Sequence, residues 1–406
     1  MTAARNARFI PLAVTALLVL TAACSGSSAP KGSLSVRGRV AAGAGPASAM
    51  AAGNAFDPSA IRTVVLFDTL GAFSTAPVTN GSFSVDAAVT MPAGLIFAGA
   101  ANQFLGALSL GSGIGALPLS KAASGLTSID LQTLTASGNL LIPGHNPIGA
   151  ELPLTAAEQV AFAQANGLFA ATVQNPDIDG NGVVDVLERK FFHPFIGYSV
   201  SGIPFGGGLT PPLPGGVAIR YFNLSIQTEG TDDAGPVTVT GPVGSGLDAA
   251  PAYTSVRGPQ TYYNTYVNLG SSPTPVPAPG TYVFRTGLGR SLTFVVPDQS
   301  QAEARMVLAL PTVSLNANGT VREISWTYRT GSDATSLDPE ALMSAIMVQI
   351  DRPLGTRVYD SPNLPASTRA HLLSNQAIPW DATTQLNLGY NDVFGNHYVL
   401  SFVNTP

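Results

Sequence analysis

At 406 residues the chain is too long for one ordinary hydrophobic core and long enough for two or three domains. Hydrophobic residues reach 45% against 11% charged, and the 43 Gly and 32 Pro follow no collagen-like period, so the composition favours short strands between turns. The net charge of -5 comes from scattered acidic residues, and no basic cluster is placed to track a phosphate backbone, so nucleic acid is not an expected partner.

In chain order, Arg5 and Arg8 lead an apolar run from Phe9 to Leu20, followed by Thr21, Ala22 and Ala23. A positive leader, an apolar stretch and small residues are the three parts of an export signal, here residues 1–23. Beyond it no apolar run is long enough to span a bilayer. Cys24 follows at once and is the only cysteine. Leu20-Thr21-Ala22-Ala23-Cys24 resembles the lipobox of bacterial lipoproteins, with Thr21 where leucine is usual. The resemblance implies a lipid on the Cys24 thiol and a cell-envelope location, at the outer membrane if the cell is diderm, because Ser25 resembles its sorting signal. Residues 24–33, rich in Ser and Gly, then read as a flexible tether of about 15 to 20 Å.

Alternating runs begin at Leu34-Ser35-Val36-Arg37-Gly38-Arg39-Val40 and continue through Thr63 to Phe67 and Gly81 to Val85. Further apolar runs at Leu95 to Ala98, Phe104 to Leu110 and Ile129 to Leu134 predict a β-sandwich over 34–140. Its opening, a Val-x-Gly-x-Val strand and a later Gly-x-Phe, is similar to transthyretin-like or carboxypeptidase-regulatory modules of surface proteins. Gly111-Ser112-Gly113-Ile114-Gly115 lies between strand-like runs and reads as a turn, because no helix follows to hold a cofactor.

Within 141–200 the period changes. Thr155-Ala156-Ala157-Glu158 is a capping box, and Ala161, Phe162, Ala165, Leu168 and Phe169 share one helical face. Next comes Asp177-Ile178-Asp179-Gly180-Asn181-Gly182-Val183-Val184-Asp185-Val186-Leu187-Glu188, in which oxygen-bearing residues recur at the spacing a hard cation needs. The run resembles the calcium loop of EF-hands and dockerins. That resemblance assigns side-chain oxygens to Asp177, Asp179 and Asn181, a carbonyl to Val183, a direct or water-mediated contact to Asp185 and both carboxylate oxygens to Glu188. Gly182 makes the sharp turn and Val184 fills the apolar eighth place. Pro176 stops the entering helix early, and His193-Pro194 ends the exiting one. Only one such loop is present, whereas EF-hand sensors and dockerins carry two, so calcium here is expected to act as a structural clip.

A Pro- and Gly-rich stretch from Gly202 to Gly216 opens a middle β region, 201–300, with Val217 to Phe222 as a strand. Residues 301–406 hold short strands at Met306 to Leu315, Val321 to Tyr328, Ala345 to Ile350, Arg357 to Tyr359, Thr384 to Tyr390 and His397 to Val403. With Trp326 in an early strand and Tyr398 in the last pair, this part resembles a fibronectin type III or immunoglobulin-like module. Asn316-Ala317-Asn318-Gly319 has the chemistry of a hairpin turn rather than a second ion loop.

The expected fold class is therefore mainly β: two or more sandwiches joined by a helix and a single EF-hand-type calcium loop. No hydrolase elbow or phosphate loop occurs, and His145, His193, His371 and His397 have no metal-ligand spacing, so the chain is read as non-catalytic. The reading is of a membrane-anchored, calcium-binding surface protein whose sandwiches meet a protein or glycan. The alternative is a secreted carbohydrate-binding protein or glycoside hydrolase. Its carrier would be the tyrosines of Gln260-Thr261-Tyr262-Tyr263-Asn264-Thr265-Tyr266; an ordinary strand with Tyr262 and Tyr266 packed inwards is the competing and preferred account.

Overall fold

The structure is a computed structural model, and it describes residues 34–41, 57–68, 72–87, 92–110, 115–156, 158–159, 176–177, 180–188, 195–205, 213, 219–229, 236–257, 260–271, 277–287, 289–296, 298, 300, 306–329, 343–352, 356–373, 376–392 and 397–404. The expected export signal, Cys24 and most of the helix expected after Glu158 lie outside them.

The protein is mainly β. Among the described residues the strands form two nine-stranded sheets, one four-stranded sheet and one three-stranded sheet. No described helix is long and apolar enough to cross a membrane.

The first sheet contains β1 (Leu34–Val40), β2 (Thr63–Asp68), β3 (Phe73–Pro77), β4 (Ser82–Ala87), β5 (Ala93–Ala98), β6 (Phe104–Leu108), β7 (Ala116–Leu117), β8 (Ser128–Ser137) and β9 (Leu140–Pro143). Its order is β3-β2-β5-β6-β9-β8-β1-β4, with β7 beside β5. Alternation along β1 buries Val36 and Val40, and the apolar runs of β2 and β5 are buried on both faces. The end strands β3 and β4 are joined by the turn Asn80-Gly81, at φ 51° and 76°, so the sheet bends until its ends meet.

The remaining strands are β10 (Phe195–Pro204), β11 (Ile219–Glu229), β12 (Thr238–Thr240), β13 (Ala250–Pro251), β14 (Tyr253–Arg257), β15 (Gln260–Gly270), β16 (Gly280–Arg285) and β17 (Ser291–Val296). They are followed by β18 (Leu308–Leu315), β19 (Val321–Arg329), β20 (Met343–Arg352), β21 (Thr356–Asp360), β22 (Leu364–Pro365), β23 (Ala370–Leu372), β24 (Gln385–Asp392) and β25 (His397–Val403). The second large sheet runs β14-β15-β11-β10-β25-β24-β20-β21, with β22 on β20.

The 300/301 division expected from sequence does not separate two sheets. β10 lies parallel to β25, with Tyr198 opposite Tyr398 and Val200 opposite Leu400, so strands from both sides of that division share one ladder. The physical reason is that β25 offers hydrogen-bonding groups on two edges, one taken by β24 and the other by β10.

Two small sheets cover this long one. The sheet β13-β12-β16-β17 packs on β11 and β15 through Phe222, Leu224, Ile226 and Tyr263 against Val239, Tyr282, Phe284, Leu292 and Val296. The Phe222 and Tyr282 rings are 6.0 Å apart, and burial pushes the Tyr282 hydroxyl up to about 12 while it donates to the Ala278 carbonyl at 2.9 Å. The sheet β18-β19-β23 places Leu308, Val321, Ile324 and Trp326 in the cluster that also holds Ile346, Val348, Ile350, Leu386, Leu388 and Phe402. The Asn316 to Gly319 segment is the β18–β19 turn, closed by the Gly319 N–H donating to the Asn316 carbonyl at 3.0 Å.

The alternate positions of the long sheet are polar and buried as well: Ser199, Asn223, Asn264, Gln349, Asp351, Asn387, Asn391, His397 and Ser401. Several of them are held by side-chain bonds. Asp351 pairs with Arg357 and accepts from Asn387 Nδ2 at 2.6 Å, Gln349 Nε2 donates to Asp360 at 2.9 Å, and His397 Nδ1 lies 2.6 Å from Asn391 Oδ1.

Candidate metal centre

The capping box is formed. Glu158 N–H donates to Thr155 Oγ1 at 3.2 Å and Thr155 N–H donates back to Glu158 Oε2 at 2.8 Å. Glu158 also takes the Lys121 ammonium at 2.5 Å, which ties this segment to the turn Leu119–Lys121 beside the first sheet. Burial pushes the Glu158 carboxyl up, but Lys121 and the Thr155 N–H outweigh it and hold the group below its ordinary value. Residues 160–175, where the rest of the predicted helix falls, lie outside the described residues.

Downstream the chain curls. Asp177 Oδ1 accepts the backbone N–H groups of Gly180 at 2.7 Å and Asn181 at 3.1 Å, while Oδ2 accepts that of Gly182 at 2.8 Å. Gly180 and Gly182 stand at φ 73° and 90°, where a Cβ is costly, and this lets the chain wrap round one carboxylate. Asn181 Oδ1 accepts from Val183 N–H at 2.7 Å, and Asn181 Nδ2 donates to both oxygens of Glu188 at 2.9 and 2.8 Å. The loop is closed at its base by Asp185 N–H donating to the Pro176 carbonyl at 2.9 Å.

Asp185 opens the short helix Asp185–Glu188 and is 4% exposed. On its flanks Val184 and Val186, at 1% and 3%, belong to the largest apolar cluster, and Val184 N–H donates to the Asn102 carbonyl between β5 and β6 at 3.0 Å. The inner half of the loop is therefore seated on the first sheet, while Gly180, Asn181 and Gly182 face solvent.

Of the expected ligands, Asp177, Asn181 and Glu188 are drawn into one hydrogen-bonded group, while Asp179 lies outside the described residues. Among the described residues no three His, Cys, Asp or Glu side chains converge as a metal cluster, so Asp177, Asp185 and Glu188 form a curled loop but no closed cage. Like charges resist closer approach without a counter-ion. The donor set, carboxylate, amide and carbonyl oxygens on a loop with a positive-φ glycine at its sixth place, suits calcium.

The other singled-out residues are elsewhere. His145 bonds Glu151 at 2.8 Å, His371 bonds the Tyr359 hydroxyl, His397 is buried beside Asn391, and His193 is outside the described residues. Tyr263 is 3% exposed and sits in the core with Phe222 and Tyr282, so its ring is not open to a sugar. Pairing with Ile226 puts Tyr263 on the apolar face, and the half-buried Tyr266 pairs with Asn223 on the opposite one.

No family model matches the chain, and no curated protein is similar to it. Among solved structures, the tetra-tandem repeat in the extending region of a large adhesion protein is similar at 13% identity and a TM-score of 0.15 over 84% of this chain and 66% of that one. Dimeric latent PorU from Porphyromonas gingivalis is similar at 10% identity and a TM-score of 0.18 over 86% of this chain and 30% of that one. Both likenesses are too slight to carry an argument.

Proposed function

We propose that the protein is a non-catalytic, calcium-binding lipoprotein of the bacterial cell envelope, anchored through Cys24, whose β layers serve binding or structural roles. In this reading calcium stiffens the junction between the two large sheets. The observation that carries it is the wrapping of residues 177–188 round the Asp177 carboxylate, with Asn181 and Glu188 brought together across the loop. Turning over the Asn181 amide presents Oδ1 where Nδ2 now meets Glu188, so that Asp177, Asp179, Asn181, Val183, Asp185 and Glu188 supply the oxygens calcium requires. The junction role is supported by Val184 and Val186 in the core, by the bond to Asn102, and by β10 starting at Phe195 soon after the loop. The glycan-binding alternative has less support, because Tyr263, one of its three tyrosines, is buried.

Calorimetric titration of the purified protein with calcium, paired with thermal unfolding, tests this reading. The expected result is one bound ion and, with free calcium a hundredfold above Kd, about 2.7 kcal/mol of added stability, both lost in Glu188→Gln. Neither heat nor stabilisation at millimolar calcium would sink the proposal.

A further inference from the structure

The turn between β16 and β17 reaches the same loop from the other side. It is a fixed turn: Thr286 N–H donates to the Arg290 carbonyl at 2.9 Å, Arg290 N–H to Thr286 Oγ1 at 3.2 Å, and Gly289 N–H to the Thr286 carbonyl at 3.0 Å. Thr286 is buried, whereas Arg290 is exposed. The Arg290 guanidinium lies so close to Gly180 that a side-chain carbon at position 180 would collide with it. Gly180 is the fourth residue of the loop, beside Asp179, and its N–H is bound by Asp177. The loop thus has on one flank a neutral bond to Asn102, from the first sheet, and on the other a guanidinium from the four-stranded sheet, close against Gly180.

We propose that Arg290 is a built-in counter-charge for the empty loop, and that calcium and Arg290 oppose one another, so that loading the ion loosens the hold of the β16–β17 turn on the loop. The proposal rests on the calcium reading above. Asp177, Asp179, Asp185 and Glu188 give the empty loop four negative charges, and a nearby guanidinium relieves their repulsion. Calcium adds two positive charges and weakens the attraction for Arg290. Linkage is reciprocal, so Arg290 must weaken calcium binding by the same factor by which calcium weakens the Arg290 contact. Because Arg290 and the Gly180 side of the loop are exposed, that factor is of the size of a surface ion pair, about twofold to fivefold. It must also fade with salt, since the screening length drops from about 10 Å at 0.1 M to about 3 Å at 1 M.

The experiment is calcium titration of the whole protein, of Arg290→Gln and of Arg290→Lys, at about 0.1 M and about 1 M salt. Arg290→Gln is expected to bind calcium about twofold to fivefold more tightly at low salt, with the difference gone at high salt, and Arg290→Lys to match the natural protein. A merely structural arginine would show neither the salt dependence nor the rescue by lysine. Equal affinity in all three proteins, or weaker binding in Arg290→Gln, would overturn the antagonism while leaving the calcium site standing. Absence of calcium binding in every protein removes both.

Discussion

The first nine-stranded sheet bends round until β3 and β4, its end strands, are joined by the Asn80-Gly81 turn, whereas the second stays open, with β14 at one end and β21 at the other. The first draws its strands from 34–143 alone, and the second from residues as far apart as Phe195 and Val403. The apolar side chains of the first sheet share one cluster with Leu308, Trp326, Ile346, Leu388 and Phe402. The open sheet needs two lids, one over β11 and β15 and one near β20 and β24, with the parallel pair β10–β25 between the regions they cover. The long sheet thereby spans two apolar clusters, one of them shared with the first sheet, and severing the middle pair should disturb both.

Leu400→Pro is the largest expected disruption. Leu400 is fully buried in β25, so proline removes a ladder donor, at about 3 kcal/mol or more, and a core side chain, at about 2–5 kcal/mol. Hydrogen exchange should show protection lost throughout β10 to β25 and retained in β1 to β9. Continued protection of β11, β15, β16 and β17 would mean that the two cores are independent. Next in size, Phe222→Ala should cost about 3–5 kcal/mol, and Phe97→Ala in the first sheet a similar amount, since their exposures are 1% and 0%. Phe97 and Phe222 lie in different apolar clusters, so in urea unfolding followed region by region each substitution should lower the midpoint of its own sheet more than that of the other.

The smallest effect concerns acid. Burial pushes His397 down to about 4 from an ordinary 6.5, so the unfolded chain takes up its proton at a higher pH than the folded one. The stability supplied by the neutral imidazole is complete above about pH 6.5 and is lost as pH falls to about 4, a change of up to about 3 kcal/mol. The second sheet should lose stability over that window and the first should not share this loss. His397→Gln should flatten the profile, and an unchanged slope in that variant would assign the acid sensitivity elsewhere.

Much of the fold was legible because alternation is a local signal. β1 and β25 fall at Leu34–Val40 and His397–Val403, as their patterns predict. Alternation names the faces of a strand but not its neighbours, and the partner of β25 at β10 lies about two hundred residues away, beyond any sequence periodicity. β10 itself was hidden behind Phe191-Phe192-His193-Pro194, which reads as the end of a helix. The tyrosine cluster shows the same limit: Asn264 and Thr265 are buried alongside Tyr263, so burial on both faces erased the contrast that would have chosen a side. The loop, in contrast, could be read from Asp177 to Glu188 because every contact that shapes it is short in sequence, while its neighbours Asn102 and Arg290 could not.

The parallel seam also sets an order of assembly during synthesis. A chain emerging from its N-terminus has every strand of the first sheet in hand once Pro143 has appeared, but the second sheet lacks its central member until Val403 is made. From the completion of β10 at Pro204 until β25 is made, the latter half must therefore wait with an unpaired strand edge at β10, a state that chaperones and proteases recognise. Chains interrupted near the end should be cleared back to a resistant N-terminal piece.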